Sequence, residues 1–345
     1  MKVADMMAGR WTPIDEPVVR SGAPEGWDGL SAITPGIFAG GAGKKFGMFY
    51  VGLSARSDTW GIGYAGSDDL LSWEKPGADP LISSEDEESC VSYDSPCLVR
   101  KDGRFHLFCE EKKKSKSAGA KIKHLLPLKL RMGIGRLRRS LKGKEARALS
   151  VQHADKRYFV SFSTDRLLEW DTGAKRIAFD KGEAGSFDAE GLFSPQVHEL
   201  EGRYYMFYGG SDGSATSTGL AVSDDLVSWE RRPSPVLKTG GKGEWDEKNA
   251  LIVSVLKVDD GYCGFYEGED ANNTYSIGLA VSSDLKGWEK FEGNPIIKNG
   301  GKGSFSEKMA CSPHIFAAEG KVLLFYTGHD RYMRGSCGAA IFEKS

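Results

Sequence analysis

The hydrophobic and polar positions of this chain follow a pattern that repeats about every 59 residues. The clearest copy begins with an apolar run at 196–200, turns at a glycine, and continues as the aromatic run 203–208. A third apolar run covers 219–223, and a short fourth run follows Pro235. Short alternating runs separated by turn residues are typical of antiparallel strands. The pattern therefore predicts a unit of four antiparallel strands.

A turn motif of the form Ser-x-Asp-Leu-x-x-Trp-Glu measures the repeat. It occupies 223–230 and recurs at 67–74 and 282–289, with a weaker copy at 163–170. Its tryptophans at 170, 229 and 288 are 59 residues apart, whereas those at 73 and 170 are 97 apart. One unit thus contains about 38 additional residues. Repetition at such a period indicates an array of like units.

The counted spacing predicts five such units and no second domain. Four-stranded units repeated around an axis form a β-propeller, so we expect an all-β, five-bladed propeller that occupies 1–345 as a single domain. The fifth unit ends without a copy of the tryptophan turn. We expect the N-terminal segment 10–19 to supply its outer strand and close the ring, because closure pairs strand edges that are otherwise open.

The additional residues form a basic insertion in the second unit, at about 111–157. Lysines and arginines alternate there with leucines, which is compatible with short amphipathic helices. One interpretation is a solvated excursion whose leucines pack on the side of the propeller. The other is a lid, or a contact for an anionic or protein partner.

Composition narrows the function classes. The 345 residues carry a formal net charge of −2, so no overall field favours nucleic acid or an anionic membrane. A nucleic-acid role would rest on the insertion alone, and we do not expect one. The chain shows neither a signal-peptide pattern nor an apolar run long enough to span a membrane, which predicts a cytoplasmic protein. The six cysteines lack metal-binding spacing, so we expect scattered core thiols, no metal and no cofactor.

Candidate chemistry is expected where the strands open on one face of the propeller. Groups just before the first strand and just after the second strand of each unit should meet there, and those that break the repeat are the best candidates. Asp94, Glu190, Glu110 and Glu267 break it. Asp28 is also a candidate, although its Trp-Asp context recurs and therefore favours a role in the blade turn. The remaining candidates at this face are Tyr93, Arg56, His329 and Arg331.

The turn motif, together with Ser-Pro followed by Gly-Arg-Tyr-Tyr-Met-Phe-Tyr at 202–208, resembles the five-bladed propeller glycosidases. These include the arabinanase/β-xylosidase group, the invertase/levanase group and the mannoside phosphorylases. The resemblance implies cleavage of a glycosidic bond by paired carboxylates at the channel mouth. By this analogy Glu190 is the general acid and Asp94 the base, which Asp28 or Glu267 orients. Glu110, Tyr93, His329, Arg56 and Arg331 would then bind an oligosaccharide or a phosphate.

Two other functions stay open at this point. A phosphorylase would use the basic groups near the mouth to hold inorganic phosphate. A non-catalytic propeller would bind a glycan or a protein partner. The second alternative is suggested by Thr34-Pro35, because many relatives have Asp-Pro there.

Overall fold

The structure, a computed structural model, describes residues 1–54, 60–83, 91–113 and 156–344. The described residues form helix α1 (Val3–Ala8), a short 3-10 turn (Thr172–Ala174) and nineteen strands. The predicted insertion lies mostly at 114–155, outside the described residues. In chain order the strands are β1 (Arg10–Pro13), β2 (Ser31–Ala39), β3 (Phe46–Leu53), β4 (Trp60–Ser67), β5 (Val91–Lys101), β6 (Arg104–Lys113), β7 (Lys156–Thr164), β8 (Arg176–Phe179), β9 (Gly191–Leu200), β10 (Arg203–Ser211), β11 (Thr216–Ser223), β12 (Glu230–Arg231), β13 (Asn249–Val258), β14 (Gly261–Glu269), β15 (Tyr275–Ser282), β16 (Glu289–Lys290), β17 (Met309–Ala318), β18 (Lys321–His329) and β19 (Gly335–Glu343).

The strands pair as successive antiparallel units. β2 to β4, β5 to β8, β9 to β12, β13 to β16 and β17 to β19 each form one such unit. Short parallel pairs join the third strand of one unit to the first strand of another, as between β11 and β13. The pair between β19 and β2 likewise joins the last unit to the first. The result is an all-β, propeller-like arrangement.

The N-terminal segment adds the outer strand that the last unit lacks. β1 runs antiparallel to β19, with Arg10 opposite Glu343 and Pro13 opposite Ala340. Val19 forms a further bridge to Cys337. The prediction that 10–19 pairs with the final unit is confirmed.

One aromatic contact recurs between neighbouring units. The tryptophan of a repeated turn packs edge-on against a phenylalanine on the second strand of the unit before it, as for Trp288 and Phe207 at 5.7 Å between ring centroids. The same contact joins Trp229 to Phe108, Trp170 to Phe49 and Trp73 to Phe325. Such edge-to-face pairs add to the stability gained by burying the rings. The repeated tryptophan therefore fastens each unit to the preceding one.

The rest of the turn motif is also structural. Ser223 Oγ accepts a hydrogen bond from the amide of Leu226 at 2.9 Å. Leu226 is buried and has a φ of 66°, a left-handed backbone that a non-glycine residue adopts only where the surroundings hold it. Asp225 accepts bonds from the amides of Val227 and Ser228, which lower the pKa of its carboxyl to about 2.

A buried aspartate stands before the first strand in three units. Asp188 is fully buried, accepts a hydrogen bond from the Tyr208 hydroxyl at 2.9 Å, and pairs with Arg231 at 2.7 Å. Asp28 has the same arrangement with Tyr50 and Lys75. Asp246 repeats it with Tyr266 and Lys290. Asp28 is thus neutralised inside its unit, as its recurring sequence context indicates.

The described cysteines are free thiols in the core. Cys97, Cys109, Cys263 and Cys337 are buried, and Cys311 is half-buried. Cys90 lies outside the described residues. None of the helices in the described ranges combines the length and apolar character that crossing a membrane requires.

Candidate functional site

A cavity of about 420 Å³ opens where the first strands bulge and the second strands end. At the bulge of β5, β9 and β17 a serine precedes the proline with a positive φ, as at Ser194 with 49°. Bulges re-aim side chains and free backbone groups from the ladder. The cavity is lined by Ile33, Thr34, Trp60, Asp94, Ser95, Glu110, Lys112, Arg157, Phe193, Ser194, Thr216, Asn249, Leu251, Glu267, Glu269, Tyr275, Cys311, Ser312, Thr327 and His329.

Carboxyl groups reach this cavity from two units. Asp94 on β5 lies opposite Glu110 on β6 in the antiparallel ladder. Glu267 and Glu269 are two residues apart on β14, so both side chains lie on the same face of the strand. The cavity therefore gathers four carboxyl groups.

Glu110 is almost completely buried, at 2% exposure, and lies beside two cations. Its Oε1 accepts a hydrogen bond from Arg157 Nη1 at 2.9 Å and lies 3.6 Å from Lys112 Nζ. Its Oε2 accepts a bond from the amide of Ser194 on the next unit at 3.3 Å. Burial nevertheless raises the pKa of Glu110, against the opposing effect of the two cations.

Glu267 is held by neutral donors. Its Oε2 accepts from the amide of Ser312 at 2.9 Å, and its Oε1 accepts from Asn249 Nδ2 at 3.0 Å. Burial raises the pKa of Glu267, and the negative charges of Glu269 and Asp94 act in the same direction. A larger share of this carboxyl is therefore protonated near neutral pH than of an ordinary glutamate.

Aromatic rings and cations alternate around the rest of the wall. Lys112 lies over the Trp60 ring, 4.4 Å from its centroid, and Arg157 lies over Phe193 at 4.9 Å. Cations at this distance from an aromatic face are attracted by the ring quadrupole. The hydroxyl of Tyr275 donates to Glu269 at 2.9 Å.

His329 contributes a neutral imidazole. Burial lowers its pKa, so the ring is uncharged at neutral pH. Its Nδ1 is buried and has no hydrogen-bond partner within the described part of the chain. The neutral ring forms part of the cavity wall.

The structure brings together four of the sequence candidates, namely Asp94, Glu110, Glu267 and His329. Glu190 does not reach the cavity: it is exposed, precedes β9, and lies beside Gly213 in the β10–β11 turn. Glu190 is not among the residues that line the cavity, so its role as general acid stays a prediction.

The other candidates lie elsewhere. Asp28 is neutralised by Lys75 and does not line the cavity. Tyr93 is buried in the core at 2% exposure, 3.4 Å from Lys175 Nζ. Arg331 pairs with Glu307 at 3.3 Å, also away from the lining. Arg56 lies outside the described residues.

Several lining residues were missed from the sequence. Lys112 and Arg157 were counted with the insertion, although they are directly opposite each other in the β6–β7 ladder. Asn249 stands four residues before the bulge position, where the other units have Ser31, Ser92, Gly191 and Met309. It therefore breaks the repeat, and the criterion that selected Glu267 would have selected it. Trp60, Phe193, Glu269 and Tyr275 were also missed.

Among the described residues, no cluster of three or more His, Cys, Asp or Glu side chains is arranged to hold a metal ion. A second cavity, of about 440 Å³, lies between the N-terminal segment and the last unit. Its charged groups pair with one another, Arg20 with Glu16 and Arg334 with Asp330.

Comparison with known proteins agrees with this fold. No protein-family model matches the chain. A levanase of Bacillus subtilis (strain 168) is 30% identical over 122 residues, which cover 31% of this chain and 17% of the levanase. The chain thus matches much less than two thirds of that relative.

Solved structures match over nearly the whole length. A glycoside hydrolase superposes with a TM-score of 0.67 at 17% identity, covering 96% of this chain and 92% of the other. A structure from the GH130 family of mannoside phosphorylases, which contains glycoside hydrolases, gives 0.66 at 15% identity, covering 96% and 93%. A family 117 glycoside hydrolase from Zobellia galactanivorans gives 0.64 at 14% identity, covering 99% and 92%. The chain is therefore similar in fold to the propeller glycoside hydrolases.

Proposed function

We propose that this protein is a glycoside hydrolase-like enzyme that cleaves a glycosidic bond of an oligosaccharide or glycoside held in the 420 Å³ cavity. The observation that carries the proposal is the convergence of Asp94, Glu110 and Glu267 in one aromatic-walled cavity. Glycosidases use one carboxyl as acid and a second as base or nucleophile. The fold likeness to glycoside hydrolases supports the same conclusion by analogy.

The surroundings of the carboxyls suggest their roles. Glu267 takes the role of general acid, because burial raises its pKa and keeps it protonated at a higher pH than usual. Asp94 takes the role of base or nucleophile; its Oδ1 accepts a hydrogen bond from the amide of Ser95 at 2.7 Å. Glu110, paired with Arg157, orients the groups around Asp94 and contacts the substrate.

The wall supplies the groups that a sugar requires. Trp60 and Phe193 offer apolar faces on which pyranose or furanose rings stack. Asn249, Thr216 and His329 offer polar atoms for hydroxyl groups.

The test is turnover of a panel of aryl glycosides and oligosaccharides by the full chain. Asp94→Asn and Glu267→Gln should each reduce kcat by about 100-fold or more, the usual contribution of acid–base catalysis. Glu190→Gln should retain activity within a factor of about two, because Glu190 does not line the cavity. Unchanged turnover in both cavity variants would overturn the assignment.

A phosphorylase is the second candidate. Lys112 and Arg157 point cations at the cavity, and an arginine and a lysine together suit a phosphate group. In this case inorganic phosphate attacks the anomeric carbon, the glycosidic bond breaks, and Glu267 gives its proton to the leaving oxygen. Release of a sugar 1-phosphate that requires added phosphate would select this reaction over hydrolysis. Glycan binding without turnover in either assay would instead select the non-catalytic alternative.

The architecture belongs to the same proposal. We take the five strand units as the blades of a single propeller domain spanning 1–345, whose ring the N-terminal strand closes. A cytoplasmic location, which the free thiols suit, is tested by fractionating cells that produce the protein. Binding of the full chain to anionic vesicles, or to a protein partner, would test the role of the insertion.

A further inference from the structure

The side-chain amide of Asn249 in the candidate site makes a hydrogen bond through its nitrogen, whereas its oxygen has no partner among the described residues. Asn249 is buried at 6% exposure, opens β13, and lines the cavity. Its Nδ2 donates to Glu267 Oε1 at 3.0 Å. Its Oδ1 is buried and has no hydrogen-bond partner within the described residues.

An unpaired buried acceptor is costly. Leaving such a group unsatisfied is destabilising, and native proteins rarely keep one without a reason. Rotating the amide by half a turn would satisfy Oδ1 only if Glu267 carried a proton to donate. In the structure the amide nitrogen faces Glu267 Oε1, so Oδ1 is left for another donor.

The donor that suits this site is a hydroxyl group. The titratable groups that interact electrostatically with Glu267 are Asp94 on β5, Glu269 on β14, Tyr275 on β15 and Cys311 on β17. His329 on β18 lines the same cavity. Tyr275 already donates its hydroxyl to Glu269. A hydroxyl of a ligand in the cavity would complete the hydrogen bonds of Asn249.

We propose that Asn249 is a positioning residue with two functions: its amide nitrogen fixes the carboxyl of Glu267, and its amide oxygen accepts a hydrogen bond from a substrate hydroxyl beside the bond that breaks. The second function rests on the proposed glycoside-cleaving activity, and the first does not. Asn249 would thereby couple binding of the sugar to the orientation of the Glu267 carboxyl.

The positioning function is tested without substrate. Glutamate labelled with ¹³C at Cδ is incorporated into the full chain, and the Glu267 signal, assigned with Glu267→Gln, is titrated by NMR. Asn249→Ala should move the Glu267 titration to higher pH, because a hydrogen bond that favours the ionised form is lost. Asn299→Ala removes an exposed asparagine whose Nδ2 donates to the Glu307 carbonyl, and should leave the Glu267 titration in place. An unchanged Glu267 titration in folded Asn249→Ala overturns this function.

The acceptor function is tested with Asn249→Asp, which keeps an oxygen acceptor but loses the amide donor. With the best glycoside from the panel, Asn249→Ala should raise KM about tenfold or more, whereas Asn249→Asp should keep KM near the wild-type value and move the pH profile of kcat. Equal KM values in the two variants overturn the acceptor function.

If no glycoside is cleaved, the probes are mannose, fructose and xylose, added to protein labelled with ¹⁵N in the asparagine side chain. A shift of the Asn249 amide with one of them supports the acceptor, and no shift with any of them overturns it.

Discussion

Trp11 lies edge-on against Phe265, with their ring centroids 5.4 Å apart. The contact repeats the one between Trp288 and Phe207, in which a tryptophan fastens its unit to the preceding one. The last unit has no tryptophan turn of its own, so the N-terminal strand supplies both the outer strand and the missing tryptophan. The N-terminus therefore completes the repeat in packing as well as in hydrogen bonding.

Replacing Trp11 should weaken the whole fold. The ring is 7% exposed and also contacts Phe342, so Trp11→Ala should reduce the free energy of unfolding by about 3 kcal/mol or more. Urea unfolding followed by fluorescence measures the change. Thr12→Ala, on the same strand but partly exposed, should change it by no more than about 0.5 kcal/mol. A similar loss in the two variants would contradict a specific role for the tryptophan.

The buried aspartates should prove structural. Asp188 is fully buried with Tyr208 and Arg231, so Asp188→Ala leaves Arg231 unpaired and should cost about 3 kcal/mol. Asp224→Ala breaks only the exposed pair with Arg203, which solvent screens, and should lower the unfolding temperature far less. Thermal unfolding compares the two. Any Asp188→Ala protein that folds should keep its turnover, and a selective loss of kcat would instead place Asp188 in the mechanism.

The repeat made much of this fold predictable. The spacing of Trp170, Trp229 and Trp288 located the units, and the absent turn at the C-terminus correctly directed 10–19 to the final one. The directions of the candidate side chains were harder to predict from the sequence. Glu190 and Glu267 both break the repeat, yet one precedes a strand and faces solvent while the other ends a strand beside the bulge of the next unit.

The two cations of the site were not predicted, because their sequence neighbours are also basic. Lys112 and Arg157 are 45 positions apart and belong to a basic stretch, so composition suggested a solvated surface. Only the β6–β7 register brings them together at the cavity. Long-range pairing of this kind leaves no local pattern in the sequence.

The ion pair of Glu110 and Arg157 should be strongly coupled. Arg157→Ala leaves the buried carboxylate of Glu110 with the more distant Lys112, at 3.6 Å, as its neighbouring cation, and should cost about 2 kcal/mol. Combining it with Glu110→Gln should recover part of that loss, because the uncompensated charge is gone. A double-mutant cycle by urea unfolding should give a coupling energy of about 1–3 kcal/mol. Strict additivity would show that the two residues do not interact in solution.

Glu267 should destabilise the protein at neutral pH. Burial raises its folded-state pKa above the ordinary value of 4.5, so the folded state holds this proton more tightly than the unfolded state does. Its contribution to stability is therefore fully present below about pH 4.5, and is lost as the pH rises through the folded-state pKa. Glu267→Gln removes the ionisation, and should be more stable than the wild type at pH 7 by a margin that shrinks as the pH approaches 4. Chemical unfolding at several pH values measures this margin. A margin that grows on acidification would mean that the folded protein stabilises the Glu267 carboxylate, and would remove the basis for assigning Glu267 as the acid.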